Sequence, residues 1–201
     1  LSDRNLVWVL IKAQIRVQRL PKWGERISIE TWGKQTVRLY ALRDFAVTSE
    51  SGQKLISATS SWMILDRSSG RPRRFNQKSD GFPWLSGRDE METNLDKVPE
   101  LKKGTRTAAF PVRFSDIDVN RHVNSTKYLE WMMDSHSQDH LETNELTSME
   151  MSFLSEATAR DEVVVYSDES SGQDLRSVRR ASDEKELCRG LFAWRAVSQH
   201  E

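Results

Sequence analysis

The chain has 201 residues, enough for one large domain or two small ones. Thirty basic and thirty acidic residues cancel, which argues against a nucleic-acid protein, for which a basic excess is expected. The single cysteine, Cys188, excludes an intrachain disulfide framework and a cysteine-based zinc site. No apolar run approaches the ~20 residues that a membrane-spanning helix needs. No signal or transit peptide is visible at Leu1. Residues 1–5 read as the tail of an element, so further residues are expected upstream.

The first third reads as strands. In residues 9–18 apolar side chains at Val9, Ile11, Ala13, Ile15 and Val17 alternate with Lys12, Gln14, Arg16 and Gln18, the period of a half-buried strand. Pro21-Lys-Trp-Gly24 breaks it. Residues 26–32 alternate again, with Ile27 and Ile29 on one face. Val37, Leu39, Ala41, Phe45 and Val47 mark a third strand. Ser49-Glu-Ser-Gly52 is a turn, and residues 54–65 form a fourth strand that carries Trp62. The expected result is an antiparallel meander.

Residues 67–87 are rich in Ser, Gly, Pro and Arg and contain Arg71-Pro-Arg-Arg74 and Gly81-Phe-Pro-Trp84, the composition of an irregular connection. Residues 110–114 read as a short strand. Asn124 is placed as a helix N-cap. Tyr128, Trp131, Met132 and Ser135 then share one helix face, and the helix is expected to end within residues 136–140. Strands follow at residues 147–153, 162–167, 175–180 and 185–197. The two meanders are similar in pattern: Gly52-Gln-Lys-Leu55 is followed by Trp62, and Glu184-Lys-Glu-Leu187 by Trp194, at the same spacing. The second copy contains a preceding strand and helix that the first lacks.

Between the strand and the helix stand Asp116, Asp118, Asn120 and His122, at every second position. The opening Asp116-x-Asp118-x-Asn120 matches an EF-hand loop, but Arg121 and Lys127 occupy the positions that require Gly and a bidentate Glu, so no metal is expected. As turn chemistry the cluster accounts for Asp116 and Asn124, and less well for the other three. As a catalytic set it supplies the parts of acyl-bond hydrolysis. His122 supplies an imidazole that can act as base. Asp118 can orient and stabilise its ring, and Asn120 can donate to a carbonyl oxygen or hold a water. The helix N-terminus adds donors at an anion-favouring pole.

Asp118-x-Asn120-x-His122-Val-Asn124-x-x-Lys127-Tyr128-Leu129-x-Trp131 resembles the signature of the acyl-acyl-carrier-protein thioesterases, plant and bacterial. Pro21-x-Trp23-Gly24-Glu25 and Ile29-Glu-Thr-Trp32 are similar to that family's first half. The resemblance implies an α+β fold of two tandem hotdog domains, each a long helix wrapped by an antiparallel sheet; the strand and helix that the first copy lacks read as a truncation at its N-terminus. The expected division is an N-terminal, acyl-chain-housing domain at residues 1–66, a connecting segment at 67–107 and a catalytic domain at 108–201. It also implies an acidic residue in the strand after the helix, which Glu156 matches, and in plant members a following cysteine, where this chain has Ala157. The candidate catalytic set is therefore Asp118, Asn120, His122 and Glu156, with water as nucleophile and either His122 or Glu156 as base. Cys188 reads as a small core residue.

The resemblance implies hydrolysis of acyl-acyl-carrier protein to free fatty acid, with no cofactor, an acidic carrier protein as partner, and a monomer or homodimer. Arg71, Arg73, Arg74 and Arg160 are candidates to meet the carrier. The expected location is the cytoplasm, or the plastid for a plant member. An acyl-CoA thioesterase and a non-catalytic acyl-binding protein are the alternatives on the same fold. Trp8, Trp23, Trp32, Met63 and Trp84 are candidates to close the acyl tunnel.

Overall fold

The computed structural model describes residues 5–74, 85, 87–168 and 172–197. Residues 1–4 and 81–84, including Trp84, lie outside the described residues. The chain divides into two compact units, Leu1–Asp96 and Lys97–Glu201. Residues 67–96 of the expected connecting segment thus belong to the first unit, and residues 97–107 to the second.

The first unit contains β1 (Leu6–Val17), β2 (Ile27–Val37), β3 (Tyr40–Ser49), β4 (Lys54–Asp66) and the two-residue β5 (Pro72–Arg73). All pairings are antiparallel, in the order β2-β3-β4-β1, with β5 added to β4. Among its described residues there is no helix. Register places Gln14, Thr59, Asp44 and Trp32 in one row across the sheet. This polar face is not open to water: Lys12, Gln14, Lys34 and Asp44 are all buried. The irregular segment after β5 covers it, and the sheet's side chains bond that segment's backbone. Trp32 Nε1 donates to Arg88 O at 3.0 Å, Asp44 Oδ2 accepts from the Glu90 amide at 2.8 Å, and Gln14 Oε1 accepts from the Asn94 amide at 3.1 Å. Lys34 Nζ donates to Met91 O, and Lys12 Nζ to Asp96 O. Polar alternation here pairs the sheet with a strap of chain, which satisfies backbone groups that would otherwise be buried unpaired.

The second unit contains β6 (Thr105–Pro111), a 3-10 turn at Phe114–Asp116, α1 (Ser125–Asp134), α2 (Gln138–Thr143), β7 (Asn144–Phe153), β8 (Glu162–Asp168), β9 (Asp174–Arg180) and β10 (Glu186–Ala196). Its sheet is antiparallel in the order β7-β10-β9-β8-β6. The last four strands repeat the first unit's order, with β1, β2, β3 and β4 matched by β7, β8, β9 and β10. Leu55 and Leu187, paired by the sequence repeat, are both fully buried at the second residue of β4 and β10.

Helix α1 lies against β6, β9 and β10 through Tyr128, Trp131 and Met132, the buried face that the i, i+3, i+4 spacing predicts. Each such large side chain contributes about 1.5–3 kcal/mol on burial. The approach is close: a Cβ built at Gly190 in β10 would stand 2.5 Å from Met132 Sδ. Asn124 caps the helix, its Oδ1 accepting from the Thr126 amide at 3.0 Å. Two expectations are corrected. The helix ends at Asp134 and a second, six-residue helix follows, started by a fresh cap at Ser137. The strand expected at residues 110–114 lies earlier, at Thr105–Pro111, and Phe114 opens a 3-10 turn closed by the Asp116 carboxylate on the Arg113 amide at 2.7 Å.

Candidate active site

The site forms where three backbone segments meet in the second unit: the loop between the 3-10 turn and α1, the first turns of α1, and the turn after β7. Asp116 is the loop's buried support. Its carbonyl accepts from the Asn124 amide at 2.8 Å and its carboxylate lies 3.5 Å from Lys127 Nζ. It takes no part in the open face of the loop, as its reading as a turn residue requires.

Asp118 closes the tip. Its amide donates to His122 O at 2.8 Å and its carbonyl accepts from the Arg121 amide at 3.0 Å, a tight turn that carries Arg121 at φ 67°. Asp118 Oδ1 accepts from the amides of Asn120 at 2.8 Å and His122 at 3.2 Å, and Oδ2 from Asn120 Nδ2 at 3.3 Å. Burial raises the Asp118 carboxyl, but the His122 amide and the two Asn120 groups outweigh it, so the acid sits below the ordinary aspartate value. The expected role of Asp118 as ring orienter is therefore revised. Its carboxylate holds the peptide of His122, and the ring takes its partner elsewhere.

That partner is Glu156. His122 Nδ1 and Glu156 Oε2 are 3.3 Å apart, with the two side chains 44% and 52% exposed. Glu156 stands in the turn beyond β7, not within the strand as the resemblance implies, because β7 ends at Phe153. The amides of Leu154 and Ser155 both donate to Leu187 O, at 2.8 and 3.1 Å, and turn the chain out of the sheet. Ala157 is fully buried. Its amide donates to the Tyr128 hydroxyl at 2.9 Å, and its carbonyl accepts from the Val123 amide at 3.1 Å. The segments that carry His122 and Glu156 are thus joined through the backbone of one small residue.

The structure brings together His122, Glu156, Asp118 and Asn120. Asn120 is exposed and spends one N–H of its amide on Asp118. At the helix start, the Thr126 and Lys127 amides are taken by Asn124 Oδ1 and Asn124 O, which uses up donors expected to be open. Cys188 is fully buried in β10, and burial, aided by Glu186, pushes its thiol up. Of the tunnel candidates, Trp32 is buried under the strap, whereas Trp23 is fully exposed in the turn before β2.

A second polar cluster lies at the end of α1, beside a cavity of about 880 Å³ lined by His136, His140, Asp174, Arg176 and Trp194 among others. His136, His140 and Asp174 present ligand atoms within 4.8 Å of one another. Asp174 already accepts from His136 Nε2 and Trp194 Nε1, each at 2.7 Å, and from Arg176 Nε at 2.8 Å. A guanidinium on the same carboxylate makes this donor set poorly suited to a dication, and the cluster reads as a polar lock between the α1–α2 junction, β9 and β10. Its members are scattered in sequence and leave no motif.

Comparison with known proteins follows the same division. Residues 1–78 match the family model described as the acyl-ACP thioesterase N-terminal domain, and residues 100–196 that of the C-terminal domain. A chloroplastic acyl-[acyl-carrier-protein] hydrolase of Cuphea viscosissima is 28% identical over 210 residues, covering 96% of this chain and 50% of the relative. Oleoyl-acyl carrier protein thioesterase 1 of Arabidopsis thaliana, also chloroplastic, is 26% identical over 95% of this chain and 61% of its own length. The chain spans about half the length of the curated relatives it matches. Among solved structures, an acyl-ACP thioesterase of Bacteroides thetaiotaomicron superposes with a TM-score of 0.86 at 25% identity, covering 97% of this chain and 79% of that one. A Mycobacterium tuberculosis protein with a double hotdog fold matches with a TM-score of 0.57 at 10% identity over 94% of this chain and 75% of that one, a likeness of fold alone. The chain has the double hotdog fold, and with its two halves matched in order by the two domain models, it belongs to the acyl-ACP thioesterase family.

Proposed function

We propose that the chain hydrolyses the thioester of acyl-acyl-carrier protein by activated water, with His122 as base and Glu156 as the group that orients it. The observation that carries this reading is the 3.3 Å contact between His122 Nδ1 and Glu156 Oε2. A neutral imidazole whose Nδ1–H faces a carboxylate carries its lone pair on Nε2, where it can accept a proton from water. The water oxygen attacks the acyl carbon as its proton passes to His122 Nε2. Charge then collects on the former carbonyl oxygen, and the free N–H of the Asn120 amide is the donor proposed for it. Collapse breaks the C–S bond, and the proton on Nε2 goes to the departing sulfur. Water has then been divided between a carboxylic acid and the carrier's thiol, with no acyl-enzyme.

Asp118 supports the step by fixing the loop, since its carboxylate is committed to the amides of Asn120 and His122. The carrier protein is the proposed partner, in keeping with the substrate printed in the names of the Cuphea and Arabidopsis relatives. Free-thiol release from acyl carrier protein tests the division of roles. If Glu156 orients, Glu156→Gln keeps an acceptor for Nδ1–H and costs about 10–100-fold in kcat, while His122→Ala costs about 10²–10⁴-fold. Equal, near-complete loss in both would make Glu156 the base instead.

A further inference from the structure

We propose that Tyr128 and Arg180 are positioning residues that hold Glu156 against His122 by gripping the Glu156–Ala157 peptide from its two sides. The inference rests on the His122–Glu156 reading above and assigns what sets the distance between them. The Glu156 carboxylate is half exposed, so packing around the side chain does little to fix it. Its backbone is held instead. Arg180 Nη2 donates to Glu156 O at 2.8 Å, and the Ala157 amide donates to the Tyr128 hydroxyl at 2.9 Å. These are the C=O and the N–H of one peptide unit. In a planar trans peptide they point in opposite directions, so a donor on one and an acceptor on the other fix the plane's rotation. Losing either bond frees the plane to turn, and with it the backbone that aims the Glu156 side chain at His122.

Each anchor is itself held. The Tyr128 ring is buried in α1, edge-on to Trp131 at 5.4 Å and to Phe153 at 6.1 Å. Its hydroxyl therefore has little freedom, and burial pushes its pKa up to about 12, so it stays a neutral phenol in the working range. Arg180 ends β9, and its other nitrogens reach Asp161 Oδ2 at 3.3 Å and Asp183 Oδ2 at 2.9 Å. Asp161 in turn accepts from the Thr158 amide at 2.8 Å, which closes the turn behind Glu156. The Val123 amide on Ala157 O, at 3.1 Å, links the next peptide, Ala157–Thr158, to the residue after His122. One helix, one strand end and one loop thus converge on two consecutive peptides. Tyr128 and Arg180 touch neither the reacting atoms nor His122 in this scheme; they act through Glu156.

The test uses the 201-residue chain as Tyr128→Phe and Arg180→Gln, each alone and combined with Glu156→Gln. Tyr128→Phe keeps the ring packing, so a folded variant is expected from it even if Arg180→Gln fails to fold. Tyr128→Phe lowers kcat about tenfold and leaves KM within about twofold, because the substrate contacts are untouched. In the Glu156→Gln background the same change costs less than about twofold, since the uncharged acceptor left there has little orienting effect to lose. A second readout needs no turnover: the ¹⁵N signal of His122 Nδ1 moves in Tyr128→Phe in the direction that it moves in Glu156→Gln. Equal fractional losses in both backgrounds, or an Nδ1 signal unmoved in Tyr128→Phe, overturn the clamp. An unmodified chain that releases no thiol, with the Nδ1 signal still moving, counts against the hydrolase reading alone.

Discussion

His122 Nδ1 faces Glu156 Oε2 at 3.3 Å across a gap between two loops, one before α1 and one after β7. Neither side chain is buried enough for the contact to be a packing device, and a half-exposed pair contributes little to stability. In the proposed hydrolysis its value lies in chemistry. His122→Ala and Glu156→Ala are each expected to lower kcat by about 10²–10⁴-fold, and the double substitution to cost hardly more than the worse single one, as for groups that act as a unit. Steady-state thiol release from the four chains checks this; multiplicative losses would mean independent roles.

Asp118 accepts three N–H groups from Asn120 and His122. Asp118→Asn places an NH₂ where only acceptors are tolerated. Loss of the loop's shape is expected to lower kcat about 10–100-fold and stability by about 1 kcal/mol. A thermal melt beside the kinetic assay reads both, and a large fall in melting temperature with unchanged kcat would reduce Asp118 to a structural residue.

No thiol serves the reaction in this scheme. Cys188 is fully buried with its thiol pushed up, and Ala157 stands at the position beside Glu156. Iodoacetamide is expected to leave native activity unchanged, and intact-mass measurement during turnover to find no acyl adduct. Stoichiometric acylation of the chain would contradict direct attack by water.

Asp174 supplies a pH-dependent part of stability. Burial raises its carboxyl, but His136, Arg176 and Trp194 outweigh it and hold it at about 2, against an ordinary 3.8. The folded state therefore binds this proton less readily than the unfolded state, and acid favours unfolding. The contribution is about 2 kcal/mol above the unfolded value and is lost as pH falls toward 2. Denaturant titrations of Asp174→Asn should show a deficit of about that size at pH 7 that shrinks with acidification. A deficit constant with pH would assign the loss to packing.

The strands and α1 were legible because burial on one side imposes period two on the strands and 3.6 on the helix. Asn124 was legible as a cap because its side chain bonds the amide two residues on. Lys12 and Gln14 misled: a polar alternation reads as a solvent face, and here it receives a strap whose backbone supplies the partners. Glu156 was found through resemblance, and its side-chain partner only in three dimensions. The bonds to the Glu156–Ala157 peptide left no signature, since a backbone amide and carbonyl are the same for every residue but proline. Trp23, a candidate to close the acyl tunnel, lies fully exposed in a turn that Gly24 completes at φ 77°.

The most direct test of the account is kcat/KM for matched acyl-carrier-protein and acyl-CoA substrates, measured on the unmodified chain and on His122→Ala by release of free thiol. The expected result is a clear preference for the carrier-bound thioester and a loss of about 10²–10⁴-fold in the variant, with the fold intact by circular dichroism. Undiminished thiol release by His122→Ala would contradict the account, and a strong preference for the CoA ester would move the substrate to the other thioester class.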